Sequence, residues 1–389
     1  MKKMKSKKSS ISSTVNPQYN SVRAEKVVPG GDGLFRIEGK VVFVPAVLEG
    51  ETADIELVQQ GKKFSRGRVL QLHETSPYRV EPFCSYYGRC GGCNFQHISY
   101  EKQLELKTSF VREHFRKFSS LELAEDFYFA ASEPRAYRNR VQFHKAADGC
   151  GFKKRGSDSV IKLKSCPVLA PGLDKFLSSS ETIKKDREIF FGTDSEYWSG
   201  RERENISIEL RGKNIQFRSD LFFQSNLSLL PEMLDYIVEF SDESKSDSNH
   251  AMDLYCGVGL FSVFLKETYN KITGIELNPE TESYYVNNMK GSDFEFFGQS
   301  LEEWLTMHEG EKTDFIIVDP PRTGLSPEVR QFLIRMKVPG LVYVSCDPVT
   351  QARDTKELIE GGYEIESARG FDFYPQTHHM ETVVRFRHK

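Results

Sequence analysis

The segment Asp253–Gly259, DLYCGVG, marks the point where a predicted strand, AMDL, is followed by a predicted helix. Two glycines this close together let the backbone turn sharply and approach a ligand at the carboxyl end of a strand. The full dinucleotide fingerprint is absent, because Ser262 stands where its third glycine would be. The segment therefore favours a site for one nucleoside without a pyrophosphate, and a purely structural turn is the alternative.

Strand and helix patterns alternate from residue 250 onward. The apolar runs KITGIEL, FIIVD and LVYVSC are separated by stretches with helical periodicity. Such alternation predicts a mostly parallel sheet with helices on both faces. The fold class predicted for this half of the chain is therefore α/β and Rossmann-like.

Two acids follow strands of this predicted sheet. Glu276 lies 17 residues after Gly259, where a carboxylate can accept hydrogen bonds from ribose hydroxyls. Asp319 follows FIIV in DPPRTG, where two consecutive prolines hold the backbone outside the sheet. A rigid loop with a capping acid is the alternative for Asp319. Taken together, the signals favour S-adenosylmethionine over a nicotinamide dinucleotide.

Cys346 follows the predicted strand LVYVS and should project into the same crevice as Gly257 and Asp319. From spacing alone, an inert buried cysteine is an equally good interpretation. A thiolate here could add to carbon 6 of uracil and make carbon 5 nucleophilic enough to accept a methyl group. The carbon 5 proton must then leave, and Glu381, just before TVVRF, could act as the base. A surface carboxylate is the ordinary alternative for Glu381.

The seven cysteines are an odd number in a chain without a secretory pattern, so a disulfide framework is not expected. Cys84, Cys90 and Cys93 form one cluster, and Cys166 follows much later. Thiolates in this arrangement can hold zinc or an iron–sulfur cluster, and spacing alone favours zinc. Cys150 and Cys256 match no ligand position and are predicted to be structural.

Four segments are predicted along the chain. Residues 17–75 contain KVVFVP, ADIELVQQ and GRVLQLH, separated by glycine-bearing turns, which is typical of a small OB-like β-barrel. Residues 76–215 hold the cysteine cluster, an amphipathic helix at about 99–118 and the hairpin NISIELRGKNIQFRSD. Residues 1–16 are predicted to be a basic disordered tail, and residues 216–389 the α/β domain. The polar run SDESKSDS, residues 241–248, is predicted to be a connection.

Positive charge is unevenly distributed, although the net charge is only −3. Basic residues concentrate in KKFSRGR (62–68), RAYRNR (135–140) and KKR (153–155). The interleaved aromatic residues are Phe64, Tyr137, Phe143 and Phe152. Such patches suit phosphate contact and base stacking, with solvated surface charge as the alternative. No apolar run approaches membrane-spanning length and none follows MKKMKSKKSS, so a cytoplasmic protein without membrane contact is expected.

The motifs DLYCGVG, DPPRTG, YVSCDP and FDFYPQTHHMET occur in this order over residues 253–382. Together they resemble the uracil-5 RNA methyltransferase family, which acts on transfer RNA and 23S ribosomal RNA. The resemblance implies that Cys346 is the nucleophile and Glu381 the proton-abstracting base. It also implies that the methyl donor contacts Gln224, Tyr255, Glu276 and Asp319. Some family members have Asn where Leu260 stands, so one polar contact to the donor is expected to be missing.

The cysteine pattern resembles the iron–sulfur branch of that family. The resemblance implies a four-iron, four-sulfur cluster on Cys84, Cys90, Cys93 and Cys166, with zinc as the alternative. It implies a TRAM domain, an OB-like RNA-binding module, at residues 17–75. The predicted architecture is a Rossmann-like methyltransferase domain preceded by this β-barrel and by a central α+β iron–sulfur domain.

The expected function is S-adenosylmethionine-dependent methylation of uridine carbon 5 in structured RNA, with 23S rRNA favoured. One alternative is a transfer RNA T-loop uridine, and another is an RNA-binding iron–sulfur or zinc protein with an inactive methyltransferase domain. An adenine-N6 or protein methyltransferase of the same fold would not need Cys346. RNA is the expected partner; no obligate protein partner is indicated, and a monomer is expected.

Overall fold

The computed structural model describes residues 16–179, 181–308 and 310–389. The basic tail predicted for residues 1–16 lies, except for Asn16, outside this range. Contacts divide the described chain into two compact units, residues 16–79 and 80–389. Each unit has its own buried core.

The first unit is a β-rich domain with a six-stranded sheet. Its strands are β1 (Gln18–Arg23), β2 (Lys26–Val27), β3 (Asp32–Ile37), β4 (Lys40–Pro45), β5 (Thr52–Gln60) and β6 (Phe64–Glu74). The sheet order is β1-β5-β6-β4-β3-β2. Alternating side chains of β3, β4 and β5 point into the core because successive residues of a strand face opposite sides. The three apolar runs identified in the sequence coincide with β4, β5 and β6.

The second unit contains all eight helices and fifteen strands of the described residues from 80 onward. Its elements up to residue 218 are α1 (Tyr100–Ser119), β7 (Phe129–Ala130), β8 (Arg140–Ala146), β9 (Gly149–Lys153), β10 (Val160–Lys162), α2 (Pro171–Ser178), β11 (Arg187–Gly192), β12 (Tyr197–Ser199), β13 (Asn205–Leu210) and β14 (Lys213–Arg218). The remaining elements are α3 (Leu230–Ser244), β15 (His250–Leu254), α4 (Ser262–Leu265), β16 (Lys271–Ile275), a 3₁₀ turn (Pro279–Thr281), α5 (Glu282–Asn288), β17 (Asp293–Phe297), α6 (Leu301–Met307), β18 (Phe315–Val318), α7 (Pro327–Met336), β19 (Gly340–Ser345), α8 (Pro348–Glu360), β20 (Tyr363–Phe371) and β21 (Glu381–His388).

An eight-stranded sheet organises this second unit, in the order β17-β16-β15-β18-β19-β21-β20-β7. Neighbours from β17 to β19 are parallel, whereas β21 is antiparallel to both β19 and β20. The central strands β15, β18 and β19 are buried along their whole length, as expected for a sheet covered on both faces. The predicted α/β class is thereby confirmed. The strand order reverses between β15 and β18, and such a switch point opens a ligand crevice at the carboxyl edge.

Two elements from earlier in the chain join this sheet layer. Strand β7 pairs with β20, and helix α1 packs against α8. A fully buried ion pair joins Lys107 of α1 to Asp372, with 2.5 Å between Nζ and Oδ1. Both charged groups are buried, so removing either one alone would leave the other as an uncompensated charge in the interior. The part of the chain predicted to form the central domain therefore also contributes to the eight-stranded sheet.

The remaining part of the middle segment forms a separate five-stranded sheet, ordered β10-β9-β8-β11-β12. Tyr137 and Phe143 are buried in its core, so the expectation that they stack on bases is wrong. Strand alternation turns Phe143 inward, whereas its neighbours Gln142 and His144 are half-buried. Phe152 is partly buried against this core and packs on Phe143.

The hairpin predicted over residues 205–220 is present as β13 and β14. Its turn uses only Arg211 and Gly212, both at positive φ, which suits a two-residue hairpin loop. The domain boundary predicted between residues 215 and 216 falls within strand β14. The polar run 241–248 is not wholly a connection, because α3 extends to Ser244 and buries Ser241. Among the described residues, no helix has both the length and the apolar character needed to cross a membrane.

Candidate active site

A cleft of about 1030 Å³ opens at the carboxyl edge of the large sheet. It brings together all six residues predicted for catalysis and methyl-donor binding, namely Gln224, Tyr255, Glu276, Asp319, Cys346 and Glu381. Four of them directly follow the parallel strands β15, β16, β18 and β19. Glu381 begins β21, which runs in the opposite direction, so its first residue lies at the edge where those strands end. The topology therefore places residues that are far apart in sequence around one cavity.

The glycine-containing turn forms one wall of this cleft. Tyr255, Gly257 and Gly259 have φ angles of 67°, 55° and 85°, so three positions of the turn are left-handed. A side chain on Gly259 would place its Cβ 2.8 Å from the ring of Tyr285, whereas the space beside Gly257 is open. Gly259 is therefore required because the Tyr285 ring packs against it, whereas Gly257 leaves room for a ligand beside the backbone.

The carboxylate of Glu276 is held at the mouth of this turn. The backbone N–H of Gly257 donates to Oε2 over 3.0 Å, and that of Asn278 donates to Oε1 over 2.8 Å. Each carboxylate oxygen has a second lone pair available, so Glu276 can still accept from ligand hydroxyls. This is the arrangement expected for an acid that binds a ribose.

Asp253, the first residue of the quoted motif, has a structural role that the sequence interpretation missed. Its Oδ2 accepts from the N–H and the hydroxyl of Ser262, at 3.0 and 2.6 Å, and so fixes the start of α4. Burial, together with the nearby Glu276, raises the pKa of Asp253 to about 7. The serine in place of a third glycine thus serves as the partner of a buried acid. The helix that follows has only four residues, Ser262–Leu265.

Cys346 and Glu381 lie close together at the cleft edge of the sheet. The β19–β21 register ends with Ser345 paired to Thr382, and Cys346 and Glu381 are the residues next to this last pair. Burial and the neighbouring Glu381 raise the pKa of the Cys346 thiol to about 11. Burial and Asp319 raise the pKa of Glu381 well above its usual range. Both groups therefore favour their protonated forms.

Arg322, in the quoted segment DPPRTG, supplies positive charge to this pair. It lowers the pKa of both Cys346 and Glu381, opposing the larger effect of burial. Its Nη2 lies 3.5 Å from Nδ1 of His379, whose pKa burial lowers to about 3, so that ring is neutral. The sequence interpretation assigned no role to Arg322, although it was the only cation in that motif.

An exposed aromatic ring stands at the rim of the cleft. Phe222, two residues before Gln224, is 61% exposed, and the Arg140 guanidinium lies 5.4 Å from its ring centroid. The Nε of Arg140 is buried and has no hydrogen-bond partner among the described atoms. An exposed ring beside a cation suits an unstacked base and its phosphate. The sequence interpretation had grouped Arg140 with a basic patch but had not identified Phe222.

The four cysteines predicted to be metal ligands lie around a second, much smaller cavity. Cys84, Cys90, Cys93 and Cys166 all line one cavity of about 20 Å³, together with Arg138. Burial is the main cause that raises the pKa of Cys166 to about 12 and that of Cys93 to about 11. Electrostatic repulsion from the neighbouring thiolates raises both pKa values further. Arg138 acts in the opposite direction on Cys90, Cys93 and Cys166. All seven cysteines are free.

Comparison with known proteins decides the family. The 23S rRNA (uracil(1939)-C(5))-methyltransferase RlmD of Shewanella woodyi is 33% identical, over 92% of this chain and 93% of its own. An uncharacterized RNA methyltransferase of Treponema denticola is also 33% identical, over 95% of this chain and 99% of its own. The chain belongs to the uracil-5 RNA methyltransferase family. The membership expected from the four motifs is thereby confirmed.

Two further comparisons agree with this family. The sequence profile of tRNA (Uracil-5-)-methyltransferase matches residues 194–294 and 305–389, which include all six residues predicted for catalysis and donor binding. The structure of the Pyrococcus abyssi tRNA (uracil-54, C5)-methyltransferase with S-adenosyl-L-homocysteine superposes with a TM-score of 0.70. It is 24% identical and covers 94% of this chain and 99% of its own. This uracil-5 methyltransferase relative supports the fold over both units.

Proposed function

We propose that this chain methylates carbon 5 of a uridine in structured RNA through a covalent bond between Cys346 and the pyrimidine ring. One observation carries the proposal: a thiol, a buried carboxyl group and a cation meet in a cleft that also has a nucleoside-type turn. An adenine-N6 or protein methyltransferase would need no cysteine at that point. The placement of Cys346 beside Glu381 therefore favours a uracil substrate.

The proposed reaction begins at Cys346. Its half-exposed thiol releases a proton to solvent, and the sulfur forms a bond to carbon 6 of the uracil, so that the electron pair of the 5,6 double bond moves into an enolate. Arg322 stabilises the thiolate because it is the cation that lowers the pKa of Cys346. The amino-terminal end of α8, two residues further on, adds a partial positive charge. Carbon 5 of the enolate is then nucleophilic.

Adenosylmethionine supplies an electrophilic methyl group when it is bound. Gln224, Tyr255, Glu276 and Asp319 line the donor side of the cleft, and a volume of about 1030 Å³ accommodates both a nucleoside donor and an extruded base. Leu260 also lines the cleft and is buried, so this position offers apolar contact only. Extruding the base costs a few kcal/mol, about the strength of one good stacking contact such as Phe222 could offer.

Glu381 ends the cycle as general base. It removes the proton from carbon 5, the electron pair re-forms the 5,6 double bond, and the sulfur of Cys346 leaves as thiolate. A carboxyl group with a raised pKa is well matched to this step, because a stronger base takes a carbon-bound proton more readily. Arg322 keeps an ionised form accessible by opposing the effects of burial and Asp319.

We further propose that the four-cysteine cavity holds a four-iron, four-sulfur cluster. The fit rests on the donor set: Cys84, Cys90, Cys93 and Cys166 surround one cavity, and cysteine thiolates are the ligands of iron–sulfur clusters. Zinc on the same four thiolates is the alternative, because zinc also binds cysteine sulfur. Within residues 16–179, 181–308 and 310–389, no group of three or more His, Cys, Asp or Glu side chains is placed to hold a metal ion. Anaerobic purification followed by iron, sulfide and zinc analysis distinguishes the two.

The first unit suits the TRAM-like RNA-binding role proposed for it. Phe64 is exposed at the start of β6, with the Arg66 guanidinium 5.9 Å from its ring centroid, and two lysines precede it. Cations and an exposed ring at one hairpin provide phosphate contact and stacking, and predict salt-sensitive RNA binding. A monomeric state and a cytoplasmic location stay predictions.

We favour 23S rRNA as the substrate because the Shewanella woodyi 23S rRNA methyltransferase aligns over nearly the whole of both chains. A transfer RNA T-loop uridine is the second candidate, since the matching family profile and the Pyrococcus abyssi relative are both named as transfer RNA uracil-5 methyltransferases. Mapping 5-methyluridine in both RNA classes, in cells with and without the gene, decides between them. Loss of the modification from one class identifies the substrate.

Trapping tests the chemistry directly. RNA containing 5-fluorouridine cannot release its carbon 5 substituent as a proton, so it should bind the enzyme covalently once the methyl donor is added. We expect a denaturation-resistant protein–RNA band with the wild type and none with Cys346→Ala. If the wild type modifies ordinary RNA but forms no such band, the covalent route is wrong.

A further inference from the structure

Asn94 directly follows Cys93 and is hydrogen-bonded to the segment that leads to Glu381. Its Oδ1 accepts from the backbone N–H of His378 over 3.0 Å, and its Nδ2 lies 2.9 Å from Nδ1 of the same histidine. Its backbone N–H donates to the carbonyl oxygen of Gln376 over 3.1 Å. One asparagine therefore makes three contacts with a segment more than 280 positions away in sequence.

The contacted segment has a conformation that its surroundings must impose. Gln376 has a φ of 67°, and a left-handed residue other than glycine costs about 1–2 kcal/mol. Its backbone N–H donates to Oε1 of Gln103 over 2.9 Å, and Nε2 of Gln103 donates back to its side chain over 3.0 Å. The N–H of Phe95 gives the Gln376 carbonyl a second donor at 3.0 Å. Asn94, Phe95 and Gln103, which follow the cysteine loop (residues 84–93) in sequence, thus fix the backbone conformation of residues 376–378.

A short path leads from this segment to the reacting groups. The rings of His378 and His379 are 4.4 Å apart, and Nδ1 of His379 is 3.5 Å from Nη2 of Arg322. Arg322 is the cation that acts on both Cys346 and Glu381. A displaced His378 would therefore disturb the position of the guanidinium, although Asn94 itself is absent from the residues lining the cleft.

We propose that Asn94 is a positioning residue, which transmits the order of the cysteine loop, residues 84–93, to Arg322 and Glu381 through His378 and His379. The inference rests on the proposed methyl transfer but not on which metal the cysteines hold. It gives the cysteine loop a task in a reaction that requires no electron transfer. Chemistry should slow when the loop loses its shape, while donor and RNA binding are retained.

The test compares three variants of the full chain, purified with its metal. Asn94→Ala removes both side-chain contacts, Asn94→Asp keeps an acceptor for the His378 N–H, and Asn214→Ala alters an exposed asparagine in a distant hairpin. For Asn94→Ala we expect kcat to fall about tenfold, because a small misplacement of reacting groups is costly, with KM for RNA and donor within about twofold. Asn94→Asp should recover most of kcat, and Asn214→Ala should match the wild type.

Metal content and the melting temperature are measured on the same preparations. A positioning role predicts that Asn94→Ala keeps its metal and loses kcat. If kcat is unchanged, or if metal content and both KM values deteriorate together, the proposal is wrong. Should Asn94→Ala fail to fold, His378→Ala cuts the same path from its other end, and an unchanged kcat there also overturns it. Inactive wild-type protein would instead refute the proposed function.

Discussion

The cleft and the four-cysteine cavity both contain buried thiols, but they offer different chemistry. The pKa of Cys346 in the cleft and that of Cys93 in the cavity are both raised to about 11, with burial as the main cause. The cleft encloses about 1030 Å³ and has the carboxyl group of Glu381 beside its thiol, whereas the cavity encloses about 20 Å³; each also has an arginine, Arg322 in the cleft and Arg138 in the cavity. Free space and a neighbouring carboxyl group, rather than thiol acidity, therefore separate a candidate nucleophile from a candidate ligand.

The largest expected effect comes from removing the thiol of the cleft. Cys346→Ala should reduce turnover by about 10⁴-fold or more, because it removes the thiol that adds to carbon 6, and Cys256, the other cysteine that lines the cleft, is buried. Donor binding, measured by titration calorimetry, should stay near the wild-type value. Cys150→Ala, in the core of the five-stranded sheet, is the matched control and should keep its activity. An active Cys346→Ala enzyme would indicate a different substrate.

Replacing the base should separate formation of the adduct from its release. Glu381→Gln should lower turnover by about 10²–10⁴-fold, the usual contribution of a general base, while adduct with ordinary RNA accumulates. A shifted band on a denaturing gel measures this adduct. The control is Glu364→Gln, an exposed carboxylate on β20. Normal turnover in Glu381→Gln would mean that another group takes the proton.

The cation of the cleft should control the pH dependence of adduct formation. Burial, Glu381 and Asp319 raise the pKa of Cys346, and Arg322 lowers it, so Arg322→Met leaves only the raising influences. The thiolate fraction at neutral pH should then fall about tenfold for each pKa unit, and the pH profile should move to higher pH. Arg322→Lys keeps a charge and should shift less. A profile that moves to lower pH, or does not move, contradicts this role.

The cavity should respond in stability more than in chemistry. Cys90→Ser should lose the absorbance of the bound cluster and lower the melting temperature, by about 2–4 °C for each kcal/mol of stabilisation lost. Turnover should fall only by the roughly tenfold effect expected when the loop no longer holds Asn94. Cys150→Ser is the control for a buried thiol outside the cavity. Unchanged iron content in Cys90→Ser would remove Cys90 from the ligand set.

Much of the candidate site could be predicted because strand ends are visible in sequence. Apolar runs followed by Glu276, Asp319 or Cys346 place these residues at one edge of any parallel sheet. Prediction failed where burial depends on partners distant in sequence. Tyr137 and Phe143 lie beside a basic run, yet they pack inward, and Phe222 shows no local sign that it stands exposed at the cleft rim.

The sequence by itself determined the α/β alternation, the nucleoside-type turn and the family, because periodicity and short motifs act over a few neighbouring residues. Only the tertiary structure decided that Arg322 lies close enough to Cys346 and Glu381 to affect their pKa values, and that Asn94 is hydrogen-bonded to His378. The physical reason is range: hydrogen bonds and charge effects depend on separations of a few ångströms in space, and chain folding sets these independently of distance in sequence.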